Sequence, residues 1–114
     1  MNVPMLNLKL QYAQIRDEMK RALDEVFESQ QFILGPTVES FEKEIARYTN
    51  TPCAVGVSSG TDALLLSLMA LDIGRDDLVI TTPFTFFSTA SSISRVGAIP
   101  LFCDIDPHTY IMDP

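Results

Sequence analysis

Residues 58–61 read Ser-Ser-Gly-Thr and stand between a short apolar run and a leucine-rich segment. This order predicts a junction between a strand and a helix. The first turn of a helix has unpaired N–H groups and the positive end of the dipole, Gly60 would let the backbone approach closely, and the hydroxyls of Ser59 and Thr61 could add donors, so this junction could bind a phosphate. The alternative is that Ser59 only caps the helix. Asp62 disfavours a bound anion, so its carboxylate must turn away or bind something else.

This junction does not match the common nucleotide-binding motifs. A Walker A loop needs a lysine after its second glycine, and no lysine follows Gly60. The dinucleotide motif Gly-x-Gly-x-x-Gly is not present at residues 56–60 either. A phosphate site of neither type indicates a phosphorylated cofactor of another kind.

An aromatic segment follows the next predicted strand and contains Phe84, Phe86 and Phe87. It falls at the carboxyl end of that strand, as Gly60 does for the preceding one, and open α/β sheets bind ligands at this edge. An aromatic ring placed there could stack on a planar cofactor. The alternative for each phenylalanine is that it fills the core.

Composition narrows the classes of function. The 114 residues include 8 Lys+Arg and 15 Asp+Glu, a net charge of −7 that argues against non-specific nucleic-acid binding. No apolar run approaches the roughly 20 residues that span a bilayer, and the N-terminus lacks the pattern of a secretion signal. We therefore expect a cytoplasmic protein with neither a membrane nor a nucleic-acid partner. Cys53 and Cys103 lie in apolar stretches and are predicted to be reduced and buried.

A metal site is not predicted. His108 is the single histidine and follows a turn signal, so we expect it to be exposed. Asp104 and Asp106 belong to an Asp-x-Asp-Pro sequence, which after a strand is typical of a turn. Further oxygen ligands for a metal are not evident around them.

Two amphipathic helices and then alternating strands and helices must position these segments. The first helix should end near residues 30–31, an apolar turn should occupy residues 32–36, and Thr37 should cap the second helix. The later elements are predicted as strand 53–57, a buried helix 63–71 that Gly74 ends, strand 78–82, helix 85–96 that Gly97 ends, and strand 99–104. This β-α-β-α-β order predicts a parallel sheet that is covered on both faces.

Three parallel strands are too few to complete such a sheet, and residues 106–114 end on a turn signal. We therefore expect a fragment of a larger protein. Residues 1–50 would be an N-terminal helical segment, and residues 51–114 would begin a large α/β domain that continues beyond residue 114.

Five strings of residues, in this order and at this spacing, resemble the N-terminal part of the DegT/DnrJ/EryC1/StrS family of pyridoxal-phosphate-dependent sugar aminotransferases. The strings are FILGP at 32–36, SGTDAL at 59–64, PFTFFSTA at 83–90, GAIP at 97–100 and DIDP at 104–107. Together they span nearly the whole chain.

The resemblance implies a fold and a site. The fold would be fold type I, that of aspartate aminotransferase, with part of its large domain present. Gly60 and Thr61 would bind the phosphate of pyridoxal 5′-phosphate through their N–H groups, with Ser59 as a further candidate. Phe86 matches the position whose ring stacks on the pyridine, and the turn at 32–36 would lie near the active site of a homodimer.

The resemblance also implies a reaction, in which an amino group passes, usually from glutamate, to a keto group of a nucleotide-linked sugar. The lysine that bonds to the cofactor and the carboxylate that binds the pyridinium nitrogen would lie beyond residue 114. Lys20 and Lys43 fall on polar helix faces and Lys9 precedes the first helix, so we assign no catalytic residue and expect no activity from these residues alone.

Two alternatives to this function remain. The first is a pyridoxal-phosphate-dependent deoxysugar dehydratase of the same family, in which a histidine replaces the lysine. The second is a non-catalytic, truncated binding module.

Overall fold

The structure is a computed structural model that describes residues 4–113. The chain forms two compact units, of which one extends to Gly56 and the other begins at Val57. Between residues 4 and 113 no helix combines the length and the apolar character needed to cross a membrane. The elements in chain order are α1 (Leu8–Ser29), α2 (Pro36–Thr49), α3 (Gly60–Ala70), β1 (Leu78–Thr81), α4 (Phe87–Arg95) and β2 (Ile99–Phe102).

The helices of the first unit end and begin close to the predicted places. Gln30 ends α1 in a left-handed conformation, and its N–H donates to the carbonyls of Val26 and Phe27. The prediction that Thr37 caps α2 is wrong, because α2 begins at Pro36 and its N-cap is Gly35, two residues before Thr37. Pro36 is tolerated at the first helical position because the N–H it lacks would be unpaired there. A Cβ on Gly35 would lie 2.9 Å from the Gln31 carbonyl oxygen, which requires glycine.

Residues 53–57 do not form the predicted strand. A strand needs a neighbouring backbone to pair with, and here the N–H of Gly56 donates to the carboxylate of Glu42 at 2.6 Å instead. The carbonyl of Cys53 accepts from the hydroxyl of Thr51. Cys53 is exposed and Cys103 is half-buried, so the prediction that both are buried is also wrong, although both thiols are free.

The third helix begins at Gly60, at the predicted junction of residues 58–61 and three residues before the predicted range 63–71, and it does not end at Gly74. Asp72 takes a left-handed conformation (φ 56°) and its N–H donates to Met69, while the N–H of Ile73 donates to Leu68. This pair of bonds is a Schellman motif, in which an aspartate occupies the position that usually holds glycine. Gly74, the predicted stop, lies beyond it.

The prediction that the leucine-rich helix is buried is wrong for the described residues. No residue of α3 is buried, and Leu66 and Met69 are 47% and 58% exposed. The helix packs on α4, which covers one side of it. Its apolar character is nearly uniform around the axis, so a single neighbour leaves the remaining apolar surface in contact with solvent.

The sheet of the second unit is a parallel pair. β1 and β2 pair in register from Leu78 opposite Ile99 to Thr81 opposite Phe102, and α4 connects them and packs on both. Val79 and Thr81 are half-buried whereas Leu78 and Ile80 are exposed. Within residues 4–113 the sheet therefore has two strands and one covered face, where three strands and two covered faces were predicted.

The buried residues of this unit concentrate around α4. Ile93 and Ala98 are buried, and Ser92 is fully buried. Gly97 ends the helix with a φ of +89°, as predicted from its position. This conformation is one that side chains with a Cβ rarely adopt.

The last segment is a turn, as the Asp-x-Asp-Pro sequence predicts. One carboxylate oxygen of Asp106 accepts hydrogen bonds from the N–H groups of His108 and Thr109 and from the Thr109 hydroxyl, at 2.9, 2.7 and 3.0 Å. A single antiparallel bridge joins Ile105 to Met112. His108 is exposed, as expected.

Candidate cofactor site

The N-terminus of α3 presents backbone donors. Ser59 is the N-cap, and its hydroxyl oxygen accepts the N–H of Asp62 at 3.1 Å. Its carbonyl accepts the N–H of Ala63 at 2.9 Å. The N–H groups of Gly60 and Thr61 have no acceptor within residues 4–113. The capping interpretation of Ser59 is therefore confirmed, and two amides next to it remain as donors.

Space around these amides permits close approach. A Cβ built on Gly60 would meet no atom within 4 Å. Thr61 is half-buried, and its carbonyl accepts a hydrogen bond from the hydroxyl of Ser92 at 3.4 Å. The first turn of α3 is thus open at Gly60 and fixed at Thr61, an arrangement suited to an anion that docks end-on.

Asp62 turns its carboxylate to a neighbouring hydroxyl, as its position in the first turn required. One of its oxygens accepts a hydrogen bond from the hydroxyl of Ser58. Hydrogen bonds with Ser58 and then Ser59 hold the pKa of Asp62 below its ordinary value, and the positive charge of Arg95 adds to this effect. The carboxylate is therefore ionised and held by the residues that precede the helix.

The three phenylalanines after β1 all lie at the surface. Phe86 is the N-cap residue of α4 and its side chain is 75% exposed. Phe84 stacks on Tyr110 with ring centroids 5.7 Å apart, and Phe87 is exposed. None of the three fills a core among the described residues, and Phe86 has no aromatic partner there. Its ring is free to cover a planar group.

The packing of α3 on α4 connects the two parts of the site. Ser92 lies five residues after the start of α4 and donates to the first turn of α3. No sequence pattern distinguishes Ser92, because it is one serine in a helix rich in small polar residues. Ser58 was also not assigned a role of its own, although its spacing of four from Asp62 matches a side-chain pair.

Residues 4–113 contain no cluster of three or more His, Cys, Asp or Glu side chains arranged to hold an ion.

Known proteins resemble this chain along nearly all of its length. A "pleiotropic regulatory protein" of Geobacillus stearothermophilus is 51% identical over 114 residues, which are 100% of this chain and 31% of that protein. A UDP-N-acetyl-3-dehydro-alpha-D-glucosamine 3-aminotransferase of Acidithiobacillus ferrooxidans is 41% identical over 96% of this chain and 30% of its own length. This chain therefore spans about a third of the length of the curated relatives it matches.

The fold agrees with solved structures of the same class. The crystal structure of NtdA from Bacillus subtilis, with bound cofactor PMP, superposes with a TM-score of 0.92 and 32% identity over 99% of this chain and 26% of that one. The α/β arrangement is thus that of the pyridoxal-phosphate-dependent aminotransferases, as the resemblance implied. Residues 13–114 match the model of the DegT/DnrJ/EryC1/StrS aminotransferase family, and the chain belongs to that family.

Proposed function

We propose that the whole protein is a pyridoxal-phosphate-dependent aminotransferase that moves an amino group, from glutamate, to a keto group of a nucleotide-linked sugar. Membership of the aminotransferase family supports the reaction class. The 3-aminotransferase of Acidithiobacillus ferrooxidans, whose name specifies a UDP-linked sugar, supports the substrate class. The observation on which the site depends is that the N–H groups of Gly60 and Thr61 have no acceptor among residues 4–113.

The residues of the site fit the cofactor. The two amides and the positive end of the α3 dipole would hold the phosphate dianion, and the open space at Gly60 admits it. Phe86 would stack on the ring, limiting its tilt and excluding water from one face. Ser59 is the weakest of the candidates because its hydroxyl already caps the helix. When bound, the cofactor supplies the electron sink that amino-group transfer requires.

The test of this site is a charge placed at residue 60. Gly60→Asp should weaken binding of pyridoxal phosphate to the whole protein by at least about tenfold, because its carboxylate would lie beside the phosphate. The variant should still fold, because a Cβ at residue 60 meets no atom within 4 Å and an acidic residue in the first turn favours the helix.

Gly60→Asn is the matched control, because it has nearly the same size without the charge. Binding is measured by titration of the cofactor absorbance at fixed protein concentration. We expect Gly60→Asn to bind far more tightly than Gly60→Asp. Equal affinity of Gly60→Asp and the parent protein would show that this loop does not hold the phosphate.

We also propose that the whole protein is a cytoplasmic homodimer. The turn at residues 32–36 supports dimerisation, because Phe32, Ile33 and Leu34 are exposed large apolar side chains in consecutive positions. Sedimentation velocity of the whole protein tests the proposal, which predicts a species of twice the chain mass at micromolar concentration.

A regulatory function without catalysis is the second candidate, because the relative from Geobacillus stearothermophilus bears a regulatory name. Addition of glutamate to the cofactor-loaded whole protein separates the two. An aminotransferase converts the bound cofactor to its amine form and its absorbance shifts, whereas a non-catalytic relative leaves the spectrum unchanged. A dehydratase of the same family is separated by its product, because it removes water from the sugar and leaves no new amino group on it.

A further inference from the structure

Two hydrogen bonds cross the turn that leads into α3. The hydroxyl of Ser58 donates to the carboxylate of Asp62, and the N–H of Asp62 donates to the hydroxyl of Ser59. The residues before the helix are therefore joined to its third residue both by a side chain and by the backbone. Both hydrogen bonds close over the turn that contains Gly60, because each joins a residue before Gly60 to Asp62.

The bonds decide which amides remain available. The N–H of Asp62 is committed to Ser59, so the first-turn donors that stay unpaired within residues 4–113 are those of Gly60 and Thr61. These two are consecutive, and consecutive N–H groups at a helix start converge on an anion. A turn that lost its connection to Asp62 would be free to rotate these donors away from a common point.

The negative charge of Asp62 should lower the affinity for a phosphate at the start of α3, yet hydrogen bonds hold the carboxylate in place. Its hydroxyl partner Ser58 stands on the preceding turn, and Arg95 of α4 supplies the nearby positive charge. A negative side chain in the first turn of a phosphate-binding helix lowers the affinity for the phosphate, because like charges repel. Its presence there is explained if the side chain also stabilises the turn. The hydrogen bond from Ser58 to the Asp62 carboxylate provides this stabilisation.

We propose that Asp62 is a positioning residue of the phosphate site, which holds the Ser58-Ser59 turn so that the N–H groups of Gly60 and Thr61 face the phosphate together. Asp62 acts through Ser58 and does not touch the cofactor. This inference rests on the proposed function, because it presumes that the phosphate binds at α3.

The test compares two probes on the whole protein, pyridoxamine 5′-phosphate and pyridoxamine. Neither has the aldehyde that reacts with lysine side chains, and their fluorescence reports binding directly. Ser58→Ala and Asp62→Ala should each weaken the phosphorylated probe about three- to tenfold, the range of one hydrogen bond. The double variant should bind no more weakly than Asp62→Ala, because both changes remove the same bond. Affinity for pyridoxamine should not change.

Asp62→Asn supplies the rescue that a purely structural role would not give. Its amide oxygen still accepts from Ser58 while the negative charge is lost, so it should bind pyridoxamine 5′-phosphate at least as tightly as the parent protein. Ser58→Ala lies outside α3 and remains informative if Asp62→Ala fails to fold.

Three results would overturn the inference: additive losses in the double variant, an Asp62→Asn protein as weak as Asp62→Ala, or an equal loss of affinity for pyridoxamine. A parent protein that binds the two probes equally would overturn the proposed function, and the inference with it. A parent that prefers the phosphorylated probe, with no change in Asp62→Ala, would overturn the inference and leave the proposed function standing.

Discussion

Single polar side chains organise two turns of the second unit, the one that leads into α3 and the one that follows β2. Ser59 accepts one N–H at the start of α3, and Asp106 accepts two N–H groups and a hydroxyl in the turn after β2. Short side chains such as these reach nearby amides that no other group pairs with. Their contribution is local, and it can be tested one residue at a time.

Asp106 should make the stability of the protein depend on pH. The N–H groups of Thr109 and His108 and the Thr109 hydroxyl hold the pKa of Asp106 below its ordinary value. A carboxylate with a lowered pKa in the folded state contributes stability that is present above its unfolded pKa of about 3.9 and is lost as the pH falls through the lowered value. The free energy of unfolding of the parent should therefore exceed that of Asp106→Asn at neutral pH, and the difference should shrink in acid.

Urea unfolding of both proteins between pH 7 and pH 2.5 measures this difference. Asp24→Asn is the control, because Asp24 is an exposed carboxylate of α1 with no hydrogen bond or ion pair within residues 4–113. Its difference from the parent should stay small at every pH. A gap between parent and Asp106→Asn that widened in acid would contradict the assignment.

At the scale of elements, the ends of the helices depend on residues in the left-handed region. Gln30, Asn50 and Asp72 adopt it without being glycine, whereas Gly97 ends α4 at φ +89°. A Cβ in this region meets the following carbonyl and costs roughly 1–2 kcal/mol. The cost explains why a glycine is the safest residue where a helix must stop and a strand must start two residues later.

Gly97→Ala should lower the free energy of unfolding by about 1–2 kcal/mol through this backbone strain. Space is not the cause, because the added Cβ would lie 3.6 Å from the nearest atom, the backbone nitrogen of Arg75, which is an ordinary contact. Gly74→Ala is the matched control, because its Cβ would also make an ordinary contact, at 3.7 Å, and no positive φ is required there. Chemical denaturation of both variants checks the prediction, and equal losses would contradict it.

At the scale of the whole molecule, few apolar side chains are buried and many large ones are exposed. Among the described residues, Ala46, Ile93 and Ala98 are the buried apolar side chains. Large apolar side chains are exposed on α1, on α3 and on one face of the sheet. Exposed apolar side chains in such number favour association with other apolar surfaces.

We therefore expect the 114 residues, expressed by themselves, to self-associate at micromolar concentration. Replacing Leu66 and Met69 together by lysine should reduce the association, because both side chains lie on the exposed part of α3. Replacing Gln11 and Gln14 of α1 by lysine is the control, because it adds the same charge at exposed polar positions. Sedimentation velocity measures the effect, and an equal response to both pairs would show that net charge, not the α3 surface, controls association.

Local sequence patterns were sufficient to predict the positions of most helices and strands and their type. The positions of α1, α2, α3 and α4, the pairing segments β1 and β2 and the turn at Asp106 follow from apolar periodicity and from residues that stop helices. The five strings that indicated the family are likewise local, and the family model matches residues 13–114. The Ser59 cap, and the need for the Asp62 carboxylate to turn away or bind another group, were expected from the chemistry of a helix start.

Three-dimensional contacts decided what those patterns left open. Residues 53–57 are apolar enough for a strand, yet their backbone groups bond to Thr51 and Glu42, because pairing depends on a neighbour that no local pattern specifies. The prediction that α3 is buried was wrong for the same reason, since an apolar helix is buried only where other elements cover it. The contact from Ser92 to Thr61 joins residues that are 31 positions apart in the sequence. Contacts at such a separation depend on tertiary packing and not on a local sequence pattern.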